Sequence, residues 1–235
     1  MRTAKNTKRF LVIIGLAFVC LVRRNMSGAD AFEDPDKDPR LADSLKEAER
    51  LILKKQVAPA IGLCDKVIAA YDTKYGRSKE KIYCARGGPE TLGTLLSAAS
   101  KNENAIALSM TWANAWFIKG YALQEVGRLA EAKSAVEAAV KLAPWQAHFS
   151  SELGQIYSQE GNWAKAKEQF ELAEDHAELA STEAKANELA RARRGLGYVY
   201  VELGKLDEAR RNISSVSTQI LKIRVPRKSW SMSAG

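Results

Sequence analysis

Apolar residues recur at three- and four-residue spacings along two long stretches of the chain, residues 41–71 and 89–211. This is the period of amphipathic α-helices that bury one face. Glycines interrupt the pattern after helical stretches of similar length, at Gly127, Gly161 and Gly204. The pattern predicts an all-α protein built from consecutive helix pairs.

The pattern itself repeats after 34 residues. The segment WFIKGYALQEVGRLAEAKSAVEAAVKLAP, Trp116 to Pro144, matches the next segment without a gap. The six matched pairs are Gly120 and Gly154, Gly127 and Gly161, Leu129 and Trp163, Ala132 and Ala166, Val136 and Phe170, and Ala139 and Ala173. A repeat of this length and spacing resembles the tetratricopeptide repeat (TPR), whose helix–turn–helix units stack because none buries its apolar face alone.

The resemblance implies a right-handed α-solenoid of antiparallel helix pairs, a TPR-like superhelix. It also implies a binding scaffold in which the first helix of each pair lines a concave face that holds partner peptides. In this arrangement Gly120, Gly154 and Gly197 let each first helix approach its own second helix. Gly127 and its equivalents end the first helices in the left-handed conformation. These glycines are therefore structural, and none is assigned to a ligand.

The chain divides into eight predicted segments. They are a signal peptide or N-terminal anchor over 1–31, a linker over 32–40, a degenerate TPR-like unit over 41–74, an irregular loop and helix over 75–112, a TPR over 113–146, a TPR with extended helices over 147–189, the first helix and the start of the second helix of a last TPR over 190–212, and an irregular basic tail over 213–235. Within 75–112, Gly87-Gly88-Pro89 breaks the helical period. A helix is predicted from Pro89 to about Leu108, with an apolar stripe formed by Leu92, Leu95, Leu96 and Ala99.

The tail after Asn212 is rich in serine and lacks acidic residues. One explanation is a disordered tail. The other is a shifted reading frame, because with suitable codons the adjacent frame encodes YQQCLNPNPEDPSSPEKLEYVRW, which is typical of a repeat ending. The nucleotide sequence distinguishes the two.

The first 31 residues have the pattern of a bacterial secretory signal peptide. A basic stretch precedes 13 apolar or small residues, Phe10 to Val22, and Ala29-Asp30-Ala31 supplies a small-residue cleavage site. A helix of that length spans about 20 Å, less than the ~30 Å hydrocarbon core of a bilayer. Arg23-Arg24 directly after the apolar run leaves an uncleaved anchor as the alternative. We therefore expect an exported, periplasmic protein, or one anchored in the inner membrane.

The net charge of +8 is confined to the two ends of the chain, because residues 32–221 hold 26 basic and 27 acidic residues. A body without excess positive charge argues against nucleic-acid binding. Export would permit a disulfide between Cys64 and Cys84. The buried type of helix position at Cys64 favours a free thiol, and the pairing stays open.

The sequence offers little for catalysis. Its two histidines, His148 and His176, do not stand at metal-ligand spacing from Cys, Asp or Glu. No phosphate loop, nucleophile elbow or dinucleotide fingerprint occurs. We predict a protein that is not an enzyme and has no cofactor or metal.

The candidate recognition surface is the stripe of each first helix that faces away from the small packing residues. Its members are Asn114, Phe117, Tyr121, Gln124, His148, Ser151, Gln155, Ser158, Arg191, Arg194 and Tyr198. Amides, hydroxyls, aromatics and two arginines suit an extended peptide. The alternative is that these side chains face water or neighbouring repeats. The Lys, Asn and Arg clamp with which some TPR proteins hold a chaperone's terminal carboxylate is missing, since Phe117, Ile118 and Tyr121 stand where it would begin.

The sequence therefore predicts a non-catalytic scaffold of the cell envelope that binds a protein or peptide in a concave TPR groove. A membrane-anchored assembly factor is one alternative. An accessory subunit of an envelope enzyme complex is another.

Overall fold

The repeat pattern folds into stacked helix pairs. The computed structural model describes residues 34–179 and 182–224, so the predicted signal peptide lies outside the described residues. In chain order the elements are α1 (Pro39–Leu53), α2 (Val57–Tyr75), β1 (Lys81–Cys84), α3 (Gly88–Ser100), β2 (Ala105–Leu108), α4 (Thr111–Glu125), α5 (Leu129–Leu142), α6 (Ala147–Gln159), α7 (Trp163–Ala177), α8 (Thr182–Glu202) and α9 (Leu206–Arg224). The pairs α1/α2, α4/α5, α6/α7 and α8/α9 pack side by side. They form an α-solenoid, as predicted.

Glycine permits the closest helix contacts within the pairs. A Cβ atom at Gly120 would lie 2.6 Å from Cγ2 of Val136, and one at Gly197 would lie 2.7 Å from Cγ1 of Ile213. A Cβ atom at Gly154 would lie 3.1 Å from the ring of Phe170. The predicted packing role of the three repeated glycines is confirmed.

The first helices end in the same way in each of the later repeats. Gly127, Gly161 and Gly204 have φ values of 75°, 70° and 71°, in the left-handed region that glycine adopts without a steric penalty. The amide of Arg128 then donates to the carbonyl of Leu123 at 2.9 Å, which closes the helix end. This second predicted role for glycine is also confirmed.

A β–α–β unit stands between the first helix pair and α4. Strands β1 and β2 are parallel, with Lys81 opposite Ala105 and Cys84 opposite Leu108. Helix α3 makes the crossover connection that parallel strands require. The predicted irregular segment is therefore mostly regular structure, and it includes a small sheet that the all-α prediction did not contain.

The helix predicted from Pro89 to about Leu108 ends early, at Ser100. Asn102 adopts the left-handed conformation with φ 55°, and the amide of Glu103 donates to the carbonyl of Ala98 at 3.0 Å. Asparagine tolerates this conformation better than most residues, so Asn102 can end the helix as glycine does elsewhere in the chain. The next residues then pair as β2.

The predicted apolar stripe of this helix is wrong for three of its four members, and the fourth, Leu95, is half-buried. Thr94 and Ala98 face inward, whereas Leu92 and Leu96 are each 60% exposed and Ala99 is also exposed. The reason is that α3 packs on β2 rather than on a helix pair, so a different face is covered.

Part of the predicted linker is fixed to the body of the protein. Pro35–Lys37 form a 3-10 turn, and Pro35 is buried. Oδ1 of Asp36 accepts hydrogen bonds from the Ser109 hydroxyl at 2.7 Å and the Tyr71 hydroxyl at 3.1 Å. The sequence predicted a linker over 32–40, but this carboxylate ties the chain to α2 and to the segment after β2.

Helix α9 continues past Asn212, where we predicted an irregular tail, and reaches Arg224. The Ser214 and Ser215 hydroxyls donate to the carbonyls of Arg211 and Asn212, so the serines bond within the helix rather than interrupting it. Val216 is buried and extends the apolar face. Residues 225–235 lie outside the described part of the chain.

The two cysteines of the described residues are free and buried, as predicted for Cys64. Burial raises the pKa of each thiol to about 12. Both therefore stay protonated and act as small apolar side chains.

We expect Gly120→Ala to lower the free energy of unfolding by roughly 1–2 kcal/mol, even though alanine favours a helix over glycine by about 1 kcal/mol. The added Cβ would lie 2.6 Å from the Val136 side chain and 3.2 Å from the carbonyl oxygen of Ala132, so the helices must move apart. Gly62→Ala is the matched control because a Cβ there meets nothing within 4 Å. Urea unfolding followed by circular dichroism measures both. Equal stability of the two variants would contradict the close contact.

Candidate functional site

Most of the predicted recognition stripe lines two adjoining recesses, formed by the first helices α1, α4, α6 and α8 with Phe170 of α7. The aromatic recess has a volume of about 410 Å³ and is lined by Glu49, Phe117, Ile118, Tyr121, His148, Glu152 and Arg191. The arginine recess has a volume of about 550 Å³ and is lined by Ser151, Gln155, Ser158, Gln159, Phe170, Arg191, Arg194, Gly195 and Tyr198. Arg191 lines both recesses and joins them.

Nine of the eleven predicted recognition residues line these two recesses. Asn114 and Gln124 line neither of them. The Gln124 amide donates to Oε1 of Glu152 at 3.3 Å, so this side chain supports the floor of the aromatic recess. The alternative that the stripe faces water or neighbouring repeats describes some of the other nine in part, since the Phe117 ring packs on Phe149 of the next repeat and Tyr198 is 53% exposed.

The rings of the aromatic recess are held in place by one another. The Phe117 ring stacks on Phe149 with a centroid distance of 4.5 Å and an interplanar angle of 17°. The His148 ring lies 4.9 Å from Phe117 on another side. Tyr121 remains 44% exposed at the same recess. The recess thus presents one fixed ring and one accessible ring to a ligand.

His148 is neutral at pH 7. Burial, with a smaller contribution from the positive charge of Arg191, lowers the pKa of its imidazole to about 4. The recess therefore gains no positive charge from this histidine in the physiological range.

Sequence reasoning missed Glu152, which lies on the floor of the aromatic recess. The residue is 9% exposed, and its Oε2 lies 3.8 Å from Nη1 of Arg191. A signal was available, because Glu152 is the only Asp, Glu, Lys or Arg in α6. A single acidic residue in an otherwise uncharged helix marks a position where the charge has a specific partner.

The arginine recess carries positive charge and hydrogen-bond donors. Arg191 and Arg194 line it together with serine and glutamine side chains, and its lining contains no Asp or Glu. Ser151 is 2% exposed, and its hydroxyl has no hydrogen-bond partner within the described part of the chain. The Tyr198 ring is 53% exposed and meets Trp163 edge to face at 5.9 Å. This chemistry suits a carboxylate beside an apolar group.

The family model of the tetratricopeptide repeat matches residues 113–144, which span α4 and α5. The chain has the tetratricopeptide-repeat fold. Two solved structures are similar to it over most of their length. One, described as MamA, is 18% identical, covers 81% of this chain and 82% of its own, and has a TM-score of 0.53. Another, MamA from residue 41 to the end from Desulfovibrio magneticus RS-1, is 15% identical, covers 94% and 95%, and also has a TM-score of 0.53. No curated protein matches the sequence.

The TPR fold supports a scaffold for protein–protein interaction. Within residues 34–179 and 182–224, no three His, Cys, Asp or Glu side chains stand close enough to hold a metal ion. In the same ranges, no helix combines the length and the hydropathy needed to cross a membrane.

Proposed function

We propose that this protein is an exported bacterial scaffold that binds an extended segment of a partner protein in the two recesses, without catalysis. The observation that carries the proposal is the convergence of nine recognition-stripe residues on adjoining recesses joined by Arg191. Each recess also holds an exposed tyrosine, a residue type enriched among those that contribute most to protein interfaces.

The two recesses differ in charge, and this difference indicates the chemistry of the bound segment. The aromatic recess is lined by Glu49 and Glu152 together with Phe117 and Tyr121, which suits a lysine or arginine side chain. The arginine recess suits an aspartate or glutamate. We therefore propose a segment with a basic residue toward α4 and an acidic residue toward α8.

Selection from a random peptide library, followed by titration of the selected peptide, tests this proposal. We expect Tyr121→Ala and Tyr198→Ala each to weaken binding about tenfold or more. Leu172→Ala is the control, because Leu172 lies on the second helix α7, is 36% exposed and lines neither recess. Unchanged affinity in both tyrosine variants would refute the groove.

Charge reversal tests the orientation of the segment. Arg194→Glu should weaken a peptide that carries an acidic residue and should favour the same peptide with lysine in its place. If both peptides bind Arg194→Glu as they bind the unaltered protein, the arginine recess does not hold the acidic side chain.

The proposed export rests on the predicted signal peptide and is tested separately. Sequencing the N-terminus of the protein isolated from bacterial envelopes should give a start near Phe32. A start at Met1 would favour the anchored assembly factor instead.

A further inference from the structure

A second cleft lies between α3 and the loop that joins α5 to α6. It consists of two adjoining cavities of about 280 Å³ and 220 Å³ that share Thr94, Ser97 and Trp145. None of the residues that line them lines either recess of the groove. The β–α–β unit thus creates a separate site, which ordinary stacked repeats would not contain.

The larger cavity is apolar, and its charged rim is already paired. Pro89, Gly93, Leu179 and the Trp145 indole form most of its wall. At its edge Nε of Arg86 donates to Glu90 at 2.9 Å, and the other oxygen of Glu90 accepts from the Gln146 amide at 3.2 Å. A charged ligand would have to break these contacts, so this cavity favours an uncharged, flat group.

Two hydrogen-bonding atoms buried in the wall of the smaller cavity have no partner among the described residues. Thr94 is 2% exposed, and neither its hydroxyl nor Nδ1 of His176 has a hydrogen-bond partner among the described residues. Both residues line this cavity. Because a buried polar group without a partner destabilises the folded protein, an occupant that satisfies these two gains affinity. A hydroxyl group can accept from Thr94 and donate to a neutral imidazole at the same time.

Trp145 connects the apolar cavity to the polar one. Its ring meets the His176 ring edge to face at a centroid distance of 5.1 Å and an interplanar angle of 60°. An aromatic ring held against Trp145 in the larger cavity would direct a polar tip toward Thr94 and His176. The cleft therefore favours a phenol, whose ring is apolar and whose single hydroxyl both donates and accepts.

The surface around the cleft favours a protein as the source of this phenol. Leu92 and Leu96 are each 60% exposed and follow Pro89 and Gly93 at helical spacing on α3, while Leu179 is 65% exposed at the cavity wall. Exposed apolar side chains on the helix that borders a cavity are typical of an interaction site for a macromolecule. A free small phenol would leave Leu92 and Leu96 exposed to water.

We propose that this cleft binds a partner protein that inserts a tyrosine side chain between α3 and Trp145. The tyrosine ring fills the apolar cavity, and its hydroxyl bonds to Thr94 and His176. Apolar residues beside the tyrosine cover Leu92 and Leu96. The site is independent of the groove, so one molecule can hold two partner segments.

The test begins with peptides selected from a library for binding to the unaltered protein. Peptides that also bind the Gly93→Leu variant are removed. A Cβ at Gly93 meets nothing within 4 Å, so the leucine should fill the cavity without disturbing the helix. Gly62→Leu is the matched control, since a Cβ there also meets nothing within 4 Å. We expect selected peptides to contain tyrosine, to bind Gly93→Leu at least about tenfold more weakly and to bind Gly62→Leu and Tyr121→Ala unchanged.

A double-mutant cycle then tests the hydroxyl contact. Replacing the peptide tyrosine with phenylalanine should weaken binding to the unaltered protein about fivefold, the effect of one hydrogen bond. The same replacement should have little effect on Thr94→Val, which keeps the shape of the side chain and removes its hydroxyl. This cycle decides the proposal even if Gly93→Leu fails to fold.

Three results would overturn the proposal. The first is a set of selected peptides without tyrosine, and the second is equal loss on phenylalanine replacement with and without the Thr94 hydroxyl. The third is binding of N-acetyl-tyrosinamide as tight as that of the selected peptide, which would make the cleft a site for a small phenol and not for a protein.

Discussion

Phe170→Ala is expected to lower the free energy of unfolding by about 3–5 kcal/mol, the range for removing a buried aromatic ring. Phe170 is 5% exposed and belongs to the core cluster that joins the last two repeats. A Cβ at Gly154 would lie 3.1 Å from its ring and one at Gly195 would lie 2.2 Å from it. The ring therefore fills the space between α6 and α8, and alanine would leave a cavity across a repeat boundary.

Urea unfolding at pH 7 measures this loss, with Leu172→Ala as the control. Leu172 lies two residues further along the same helix and is 36% exposed, so its truncation should cost less than about 1 kcal/mol. Stacked repeats are coupled mainly to their neighbours, so α8 and α9 can unfold first in Phe170→Ala. In that case we also expect a smaller slope of the unfolding free energy against urea concentration. A loss no larger than that of Leu172→Ala would show that the ring does not couple the repeats.

Lowering the pH from 7 to 4 is expected to remove about 2–4 kcal/mol of stability through His148 alone. The folded protein holds this imidazole neutral with a pKa of about 4, because the ring is buried and faces Arg191. The unfolded chain takes up the proton near pH 6.5, its ordinary pKa. The contribution is therefore fully present above about pH 6.5 and is lost as the pH falls toward 4.

The His148→Phe variant isolates this contribution. Phenylalanine does not titrate and can pack against Phe117, whose ring centroid lies 4.9 Å from that of His148. Carboxylates whose pKa the fold lowers, such as those of Glu103 and Glu131, also destabilise the protein when acid protonates them. They are present in both proteins, so their effect cancels in the comparison. Between pH 7 and pH 4, the urea midpoint of the unaltered protein should fall further than that of the variant. Parallel pH curves would show that His148 is not held neutral by the fold.

The repeat positions could be predicted from the sequence because their causes are local. A glycine that ends a helix, such as Gly127, and a glycine that meets the next helix, such as Gly154, recur at a fixed period, so each repeat supports the interpretation of the others. The recognition stripe followed from the same helical geometry, which is why nine of its members share two recesses.

The β–α–β unit could not be predicted in the same way. Its strands have four residues each, and their partners lie 24 positions apart in the chain, so the pairing leaves no periodic signal. A sequence that gives no sign of the strands shows its clearest apolar stripe at the leucines of α3. It therefore predicts that Leu92 is buried, whereas Leu92 is exposed. Glu152 was missed for a related reason, since its burial depends on Gln124 and Arg191 from neighbouring repeats.

Helix α2 packs directly on α4, although the β–α–β unit separates them in the chain. The row of helix pairs is therefore continuous across the insertion, and the unit branches from the side of that row. The contacts that hold the row together constrain the repeats, but they place little constraint on the outer face of α3. Substitutions at Leu92, Leu96 and Gly93 can therefore change the surface of the branch while the stack and the groove stay the same.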